Sequence, residues 1–387
     1  MSFQVAPDDH IKQGRVTDVY FERVIESLRR RDINPLVSME VRASGLPRNW
    51  TWSVMAGLEE VLELVDGLPL TMRAIDEGGL FYSNEPVMSV TGHYLDFGKY
   101  ETALLGLLCQ ASGIATNAAR CRKAAGPRPV ISFGARRMHP AIAPMIERNA
   151  FIGGCDGVAV IESAELIGEE PSGTMSHTLI LCCQDERLAY EIFDEAMGAD
   201  VKRIALVDTF QDEKFGALYA AEVLGERLYA VRLDTPGSRR GNFLQIMQEV
   251  RWELDIRGYT NVRIFISGDI DEDKILEYND VADAYGVGTY ISNSPVVNFA
   301  MDIVEVDGAP LAKRGKPSGL KQLWRCPTDK QRLTTLASVE TAVCPCCGEP
   351  MEPALKVRYA DGRKVIPDPS PRQIREHVIE QLKDVDL

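Results

Sequence analysis

From about residue 129 to residue 291, short apolar segments alternate with longer segments that have helical spacing. The apolar segments predict strands at 129–133, 157–161, 203–207, 228–233, 262–267 and 286–291. Helices are predicted between several of them, at 213–224, 242–257 and 273–284. Alternating strands and helices favour a parallel sheet, because each helix carries the chain back to the start of the next strand. The pattern therefore predicts an α/β fold, of which the β/α barrel is one form.

Acidic residues stand at the ends of three successive predicted strands. Asp208 ends the segment IALVDT, Asp234 ends YAVRLD, and IFISGDID brings Asp269 and Asp271. The next strand runs into the glycine-rich segment GVGT at 286–289. In a β/α barrel these strand ends gather on one face, where ligands bind. The alternative for each aspartate is that it caps the following helix, since Asp is a favoured N-cap residue.

The length of the chain predicts more than one domain. With 387 residues and roughly 150 residues per domain, two or three domains are expected. Before residue 125 the patterns mix helix and strand, with predicted helices at 54–65 and 100–123, the second with a break at Gly113, and strand formers at 80–90. Regular alternation stops near residue 300. We therefore expect three parts, at 1–125, 126–300 and 301–387.

Composition and missing motifs exclude several protein classes. A net charge of −14 disfavours binding to nucleic acid or to an anionic membrane surface. No apolar run reaches the roughly 20 residues of a membrane helix, and the first residues lack the shape of a signal peptide. A cytoplasmic protein with reduced cysteines is therefore expected. A P-loop and a dinucleotide-binding fingerprint are both missing, which argues against a dehydrogenase.

Two further segments place polar groups near predicted strand ends. SFGARRMHP at 132–140 contains Arg136 and Arg137, which are suited to a bidentate grip on a carboxylate or phosphate, and Phe133, which could stack on a flat ring. The alternative is a solvated arginine pair with Phe133 in the core. GTMSH at 173–177 places Thr174 and His177 just before an apolar run. A lone histidine is more often structural than catalytic, so this segment alone does not decide.

Seven segments together resemble the nicotinate phosphoribosyltransferases. In chain order they are TDVY (17–20), SFGARR (132–137), GTMSH (173–177), VDTF (207–210), RLDTPG (232–237), SGDID (267–271) and GVGT (286–289). The resemblance covers about residues 15–300 and implies the type II phosphoribosyltransferase fold, an N-terminal α/β sandwich beside an incomplete β/α barrel. Quinolinate phosphoribosyltransferases share that fold and are less similar here, since GTMSH belongs to the nicotinate and nicotinamide branch.

The resemblance implies a reaction in NAD biosynthesis. Nicotinate and phosphoribosyl pyrophosphate would give nicotinate mononucleotide and pyrophosphate, coupled to ATP hydrolysis. His177 matches the histidine that ATP phosphorylates, and Phe133 matches the ring that stacks on the pyridine. Arg136 matches a phosphate-contacting arginine, and Arg232 with Asp234 matches the pair that reaches the base and the ribose.

The resemblance also implies an oligomer. Tyr20 matches a ring that the neighbouring subunit supplies, so a homo-oligomer, a dimer or higher, is expected. Its substrates would be nicotinate, phosphoribosyl pyrophosphate and ATP.

The residues suit this chemistry. Displacing pyrophosphate from C1 of ribose builds positive charge on the sugar and negative charge on the leaving group. Carboxylates near the sugar would stabilise the first charge and hold Mg²⁺ or ribose hydroxyls, while arginines and Mg²⁺ would stabilise the second. Backbone N–H groups at 286–289 could cradle the 5′-phosphate. Either Arg137 or Arg232 could take the nicotinate carboxylate.

The candidate residues form two sets. The candidate catalytic residues are His177, Asp208, Asp234 and Asp269. The candidate substrate-binding residues are Tyr20, Phe133, Arg136, Arg137, Thr174, Arg232, Gly268, Gly288 and Thr289.

Four of the nine cysteines crowd near the C-terminus. Cys344-Pro-Cys346-Cys347-Gly has the form of a zinc knuckle, in which Pro and Gly shape a turn between two thiolates. The other half reads Cys326-Pro-Thr-Asp329, with an aspartate in the fourth ligand position. We predict a structural Zn²⁺ bound by the first and last cysteines of the knuckle and by Cys326, with Asp329 or Cys346 as the fourth ligand. The alternative is a degenerate knuckle without metal.

Two rival hypotheses remain open at the level of sequence. A quinolinate-type phosphoribosyltransferase would release CO₂ and would need extra basic residues for a second carboxylate. A protein of another class, a zinc-knuckle interaction protein on an inactive barrel, is disfavoured because the candidate site residues occur together.

Overall fold

The computed structural model describes residues 3–387 of the chain and divides them into two compact units. The first unit contains the chain up to Thr116 together with Pro295–Asp386, and the second contains Asn117–Ser294. The three-part division expected from the sequence stays a prediction. The strands are β1 (Leu36–Ala43), β2 (Ser53–Val54), β3 (Leu70–Ala74), β4 (Leu80–Phe81), β5 (Met88–His93), β6 (Val130–Ser132), β7 (Gly157–Val158), β8 (Arg203–Leu206), β9 (Leu228–Leu233), β10 (Arg263–Ser267), β11 (Ala284–Val287), β12 (Phe299–Val306), β13 (Ala309–Pro310), β14 (Lys321–Arg325), β15 (Arg332–Leu336), β16 (Glu352–Pro353), β17 (Lys356–Ala360) and β18 (Arg363–Lys364).

The helices vary from a single turn to 25 residues. They are α1 (Asp8–Lys12), α2 (Val19–Arg29), α3 (Leu58–Leu64), α4 (Tyr94–Phe97), α5 (Glu101–Ala125), α6 (Ala143–Ile152), α7 (Ile161–Ile167), α8 (His177–Cys183), α9 (Glu186–Ala196), α10 (Glu213–Leu224), α11 (Gly237–Arg240), α12 (Phe243–Asp255), α13 (Glu272–Tyr278), α14 (Thr289–Ser292) and α15 (Pro371–Gln381), with short 3₁₀ turns between some of them. Across residues 3–387, no helix combines the length and the apolar character needed to cross a bilayer.

A seven-stranded sheet forms the frame of the first unit. Its order is β13-β12-β1-β5-β3-β17-β18, and every neighbouring pair is antiparallel. Strand β1, the third of the seven, pairs with β12 on one edge and with β5 on the other, and it is buried from Val37 to Ala43. One apolar cluster joins this sheet to α3 and to the first half of α5, and it includes Val41, Val61 and Leu108.

Two predicted helices of this region differ from the structure. The helix predicted at 54–65 begins only at Leu58, because Val54 belongs to β2 and pairs with Leu80. The long helix α5 continues through Gly113 without the predicted break. A single glycine costs a helix only about 1 kcal/mol relative to alanine, and the surrounding alanine-rich sequence outweighs that cost.

A six-stranded parallel sheet forms the second unit, as the alternation of strands and helices predicts. Its order is β7-β6-β11-β10-β9-β8. The curled sheet is an incomplete β/α barrel, which confirms the predicted fold class. The strand predicted at 286–291 was wrong in its limits, because β11 ends at Val287 and the chain turns into α14 at Thr289. The carboxyl ends of the six parallel strands lie on one edge, where the candidate site is found.

A three-stranded sheet, β15-β14-β16, lies close to the cysteine cluster in the first unit. Its small core contains Trp324, Cys326, Ala342, Cys344 and Met351. Two of the predicted metal ligands are therefore buried as part of a core, which fixes their positions.

Candidate active site

The ends of β8, β9 and β10 bring together the residues that follow these strands. The backbone N–H of Asp234, after β9, donates to the Oδ2 of Asp208, after β8, at 2.9 Å. The hydroxyl of Ser267, at the end of β10, donates to the Oδ1 of Asp234 at 2.8 Å. Three neighbouring strand ends are thus linked by hydrogen bonds through two of the predicted aspartates.

The structure shows which of the aspartates after the strands cap a helix. Asp212 caps α10 and Asp271 caps α13, each accepting from a backbone N–H of its helix. Residue Pro236 stands at the N-cap position of α11. Asp208 and Asp234 therefore cap no helix. Of the two aspartates considered after β10, Asp271 is the cap.

Arg232 is the second-last residue of β9, and its guanidinium group donates three hydrogen bonds to neighbouring side chains. Its Nη1 donates to Thr174 Oγ1 at 2.7 Å, its Nε to Ser267 Oγ at 2.8 Å, and its Nη2 to Asp234 Oδ2 at 3.1 Å. Its Cζ lies 5.4 Å from the centre of the Phe133 ring. Burial lowers the pKa of Arg232, and the adjacent Asp234 carboxylate opposes that effect. The result is an oriented guanidinium beside an aromatic ring.

His177 is the first residue of α8 and faces the two linked aspartates. Its Nδ1 lies 2.9 Å from Thr209 Oγ1. Its Nε2 lies 3.9 Å from Asp208 Oδ1 and 3.8 Å from Asp234 Oδ2. The histidine side chain is 40% exposed, whereas that of Asp208 is 3% exposed. A ligand can therefore reach the imidazole while the carboxylate behind it is shielded from water.

Asp208 is the most unusual carboxylate of the group. Burial raises its pKa, and the neighbouring His177 and the backbone N–H of Asp234 act in the opposite direction. Its Oδ1 is buried and has no hydrogen-bond partner in the part of the chain that the structure describes. A buried acceptor of this kind is suited to a proton or a cation.

Phe133 lies at the end of β6, where its ring depends on a glycine. A Cβ atom at Gly286 would lie 2.4 Å from Phe133 Cε2 and 2.5 Å from Cδ2. The ring can therefore occupy this place only because residue 286 has no side chain. The ring of Phe265 lies beside it, with ring centres 5.9 Å apart and the two planes tilted by 58°.

The other predicted site residues are placed less closely around this centre. Arg136 and Arg137 are exposed in a 3₁₀ turn, and the charge of Arg136 is near enough to depress the pKa of Arg232. Asp269 follows Gly268 in the loop after β10, with a positive φ of 48°.

Three predicted residues lie on other elements. Gly288 and Thr289 form the start of α14 in the second unit. Tyr20 lies on α2 in the first unit and is 53% exposed. The roles predicted for these three residues, and for Arg136, Arg137 and Asp269, stay predictions.

The sequence analysis did not single out three residues of this centre. Ser267 and Thr209 lie inside the segments SGDID and VDTF, directly beside aspartates that it did select. Because both residues lie next to predicted strand ends, the sequence could have indicated that they belong to the site. Glu186, whose carboxylate accepts from the backbone N–H of Phe210 at 2.9 Å, carries no recognisable motif.

The first unit contains a cavity lined by basic residues, although the chain as a whole carries a net negative charge. It encloses about 850 Å³, and three basic residues line it, Arg42, Lys316 and Lys321, together with hydroxyl groups and without any carboxylate. Lys316 and Lys321 are paired with Asp302 and Glu40. Arg42 is 9% exposed, and within residues 3–387 its guanidinium has neither a hydrogen bond nor an ion pair. This surface is called the Arg42 cavity below.

The cysteine cluster brings together the predicted ligand set with Asp329. One candidate ligand atom from each of Cys326, Asp329, Cys344 and Cys347 lies within 4.8 Å of the others. The Sγ atoms of Cys326 and Cys347 are 3.5 Å apart, and Cys344 Sγ lies 3.1 Å from Asp329 Oδ2. Thiolates bound to one tetrahedral Zn²⁺ at about 2.3 Å would be separated by nearly the same distance. Cys346 is exposed and lies outside this group.

Comparison with known families assigns most of the chain to two domain models. The model described as "Quinolinate phosphoribosyl transferase, N-terminal domain" matches residues 18–112. The model for the C-terminal domain of the same family matches residues 114–302. Together they cover the strands of the first sheet that precede α5 and the whole parallel sheet.

Individual relatives agree with these models. Nicotinate phosphoribosyltransferase pncB1 of Mycobacterium tuberculosis is 30% identical over 363 residues, which are 82% of this chain and 79% of that protein. The crystal structure of nicotinate-nucleotide pyrophosphorylase from Pyrococcus furiosus superposes with a TM-score of 0.98 at 51% identity, over 100% of both chains. Human nicotinic acid phosphoribosyltransferase has a TM-score of 0.73 at 20% identity, over 96% of this chain and 94% of that one, a likeness of fold.

Proposed function

Because this chain belongs to the quinolinate phosphoribosyltransferase family, we propose that it transfers a phosphoribosyl group to nicotinate and couples the transfer to ATP hydrolysis. The products would be nicotinate mononucleotide and pyrophosphate, in NAD biosynthesis. The observation that carries the proposal is the position of His177, whose Nε2 faces Asp208 and Asp234 next to the Arg232–Phe133 pair. A phosphorylated histidine in that position would add negative charge beside the proposed pyrophosphate site, which is the use that an ATP-coupled reaction would make of it.

The base pocket supports nicotinate as the acceptor. A pyridine ring stacked on Phe133 would lie with its edge near the guanidinium of Arg232, which could pair with the carboxylate. Between the two arginines left open by the sequence, Arg232 is favoured because Arg137 is exposed in a turn. Quinolinate carries a second carboxylate, and the other buried guanidinium close to Asp234, that of Arg240, already donates to the backbone carbonyls of Thr235 and Gly268.

The sugar would lie above the linked aspartates. Positive charge that develops at C1 during the transfer would be stabilised by the carboxylates of Asp234 and Asp208. Ser267 holds Asp234 in place through its hydroxyl. The loop at 286–289, directly beyond Phe133, is the proposed place of the 5′-phosphate.

The proposed magnesium site uses the same carboxylates. Asp208 Oδ1 is a buried acceptor without a partner among the described residues, and Asp234 Oδ2 lies on the same side of His177. Carboxylate oxygens are the ligands that Mg²⁺ prefers, together with substrate phosphates. When bound, Mg²⁺ would offset the negative charge of the leaving pyrophosphate.

The Arg42 cavity is proposed as a binding place for phosphate groups. A buried guanidinium without a counter-ion is unfavourable unless a ligand supplies the missing charge. The surrounding hydroxyl groups suit phosphate oxygens, while Lys316 and Lys321 are already paired with Asp302 and Glu40.

The cysteine cluster is proposed to hold a structural Zn²⁺ through Cys326, Asp329, Cys344 and Cys347. The geometry supports Asp329 over Cys346 as the fourth ligand, because Cys346 lies outside the group. Four protein ligands would close the coordination shell, which is typical of structural rather than catalytic zinc.

The main rival function is the decarboxylating reaction on quinolinate. The family models carry that name, and nicotinate mononucleotide is the product of both reactions, so the name of the Pyrococcus relative is compatible with either. Purified protein should be assayed with nicotinate, quinolinate or nicotinamide, each with and without ATP. We expect product from nicotinate, with stimulation by ATP. Product from quinolinate alone would overturn the proposal.

A further inference from the structure

We propose that Arg240 is a positioning residue that holds the loops after β9 and β10 in the arrangement that binds the phosphoribosyl donor. The role deepens the proposed function and rests on it only for the donor, phosphoribosyl pyrophosphate. Transfer to nicotinate and transfer to quinolinate would use that same donor. The role of Arg240 can therefore be tested with whichever of the two acceptors the protein uses.

The guanidinium of Arg240 links the ends of two neighbouring strands. Its Nε donates to the backbone carbonyl of Thr235, after β9, at 2.9 Å. Its Nη2 donates to the backbone carbonyl of Gly268, after β10, at 2.8 Å. Both acceptors stand next to predicted site residues, since Asp234 precedes the first and Asp269 follows the second. Arg240 therefore sets the spacing of the two loops that carry these aspartates.

Arg240 is a buried cation that is held by carbonyl groups and an aromatic ring rather than by a carboxylate. It is 7% exposed, and within residues 3–387 it forms no ion pair. Its Cζ lies 4.6 Å from the centre of the Phe243 ring, which is a favourable place for a cation. Phe243 in turn meets Tyr278 edge to face, with ring centres 5.8 Å apart. The guanidinium is thus packed against a support built from α12 and α13.

The loop after β10 has a conformation that needs an outside contact. Gly268 and Asp269 have positive φ angles of 79° and 48°, and the left-handed region is unfavourable for a residue with a Cβ atom. Arg240 holds the carbonyl of the first residue and Lys274 that of the second. A Cβ atom at Gly268 would lie 3.0 Å from Arg240 Nη2 and 3.0 Å from Asp234 Oδ1. The turn therefore fits closely between the guanidinium and the carboxylate.

Thr235 extends the same set of contacts to the end of β8. Its hydroxyl oxygen lies 2.5 Å from Glu213 Oε1 and 3.3 Å from Asp208 Oδ2. Thr235 is 4% exposed, so these contacts are shielded from competing water. Its carbonyl is the one that Arg240 holds. Three neighbouring strand ends are therefore joined through a side chain that itself lies outside the candidate site.

These contacts lie on the donor side of the proposed site. The sugar is proposed to lie above Asp208 and Asp234, whereas the base is proposed to stack on Phe133, after β6. Arg240 contacts the loops after β9 and β10 and makes no hydrogen bond to the segment after β6. Loss of its hydrogen bonds should therefore loosen the donor site more than the base pocket.

Steady-state kinetics of Arg240→Met, with donor and acceptor each varied in turn, tests this difference. Methionine keeps a long side chain over Phe243 and removes both hydrogen bonds. The KM for phosphoribosyl pyrophosphate should rise about tenfold, in line with the loss of a hydrogen bond from a charged donor. The KM for the acceptor should change far less. Arg239→Met, at the exposed neighbouring position, is the matched control and should keep the wild-type kinetics.

Hydrogen exchange gives a measurement that needs no substrate. Two backbone N–H groups mark the segment that Arg240 closes. That of Asp234 donates to Asp208 Oδ2 at 2.9 Å, and that of Arg239 donates to the carbonyl of Pro236 at 2.8 Å. In Arg240→Met both should exchange faster, while β11 and α6 keep the wild-type rates. Faster exchange throughout the second unit would show a role in overall stability and would overturn the positioning role.

The outcomes separate the two proposals. A donor KM that is unchanged in folded Arg240→Met, or raised equally in Arg239→Met, overturns the positioning role. A raised donor KM in Arg240→Met, in a protein that accepts only quinolinate, supports the positioning role and rejects the proposed function.

Arg240→Lys decides the matter should Arg240→Met fail to fold. Lysine keeps the positive charge but lacks the planar fork with which arginine reaches two carbonyls in a fixed geometry. The donor KM should therefore be raised in this variant as well. Wild-type donor kinetics in folded Arg240→Lys would contradict the proposal.

Discussion

The close contact between Gly286 and the Phe133 ring allows a direct test of the proposed base pocket. In Gly286→Ala, the new methyl group would start 2.4 Å from Phe133 Cε2, and ordinary contact begins at 3.4 Å. The ring must therefore retreat by about 1 Å (3.4 − 2.4), since β11 is held by β10 and β6 on its two sides. Gly286 does not have a positive φ, so the substitution introduces no backbone strain of its own.

The size of the effect follows from that displacement. A misplacement of 1 Å near the reacting groups can reduce catalysis on the order of 100-fold, and stacking on an aromatic ring contributes about 1–3 kcal/mol per base. We expect kcat/KM for nicotinate to fall about 10- to 100-fold. The KM for phosphoribosyl pyrophosphate should change less, because Gly288 and Thr289 of the proposed 5′-phosphate loop are not altered. Crowding should also lower the free energy of unfolding by about 1–3 kcal/mol.

The assay is steady-state kinetics with each substrate varied in turn, combined with urea unfolding. Gly106→Ala is the control, because a Cβ there meets nothing within 4 Å. The double variant Gly286→Ala with Phe133→Leu should recover stability but not the affinity for nicotinate, since the crowding ring is gone and so is the stacking surface. Unchanged nicotinate kinetics in folded Gly286→Ala would refute the assignment of Phe133.

Three further predictions concern the first unit. Burial, with a smaller effect from Asp302, raises the pKa of Glu101 from its usual 4.5 to about 7, so the carboxyl contributes stability that is present below pH 4.5 and is lost as the pH rises through 7. As the pH rises from 5 to 8, the wild type should therefore lose about 1–2 kcal/mol of unfolding free energy relative to Glu101→Gln, measured by urea unfolding. The figure is smaller than the full pKa shift would give, because the carboxyl group is partly exposed. Metal analysis of chelator-free protein should find one Zn²⁺ per chain and almost none in Cys344→Ser, and zinc-free wild type would contradict the site. Pyrophosphate should raise the melting temperature of Arg42→Met less than that of the wild type, because the proposed active site still binds it in the variant. Without ligand, Arg42→Met should be at least as stable as the wild type. Equal shifts in both would remove the Arg42 cavity from the account.

The barrel half of the fold was predictable because its pattern is local. Strand 228–233 and helix 213–224 match their predicted limits, since each is bounded by turn or capping residues and has one clear period. The parallel sheet then places the strand ends on one edge, which is why Asp208 and Asp234 could be grouped before any coordinates.

The first unit was harder because its pairing is not local. Strand β1 pairs with β12, so that Met39 lies opposite Ile303, and a period-based analysis cannot see a partner that far along the chain. The sequence pattern also does not show which charged residues are buried. Arg42 and Glu186 look like surface residues in the sequence, and only the fold shows that one lines a cavity and the other anchors a loop.

The central claim, ATP-coupled transfer to nicotinate through His177, is tested most directly by counting two products in one reaction. Nicotinate, phosphoribosyl pyrophosphate and ATP are supplied together, and nicotinate mononucleotide and ADP are quantified for the wild type and for His177→Ala. We predict that the wild type makes both products and that the variant makes no ADP and loses the stimulation by ATP. ADP formation coupled to product in His177→Ala would contradict the account.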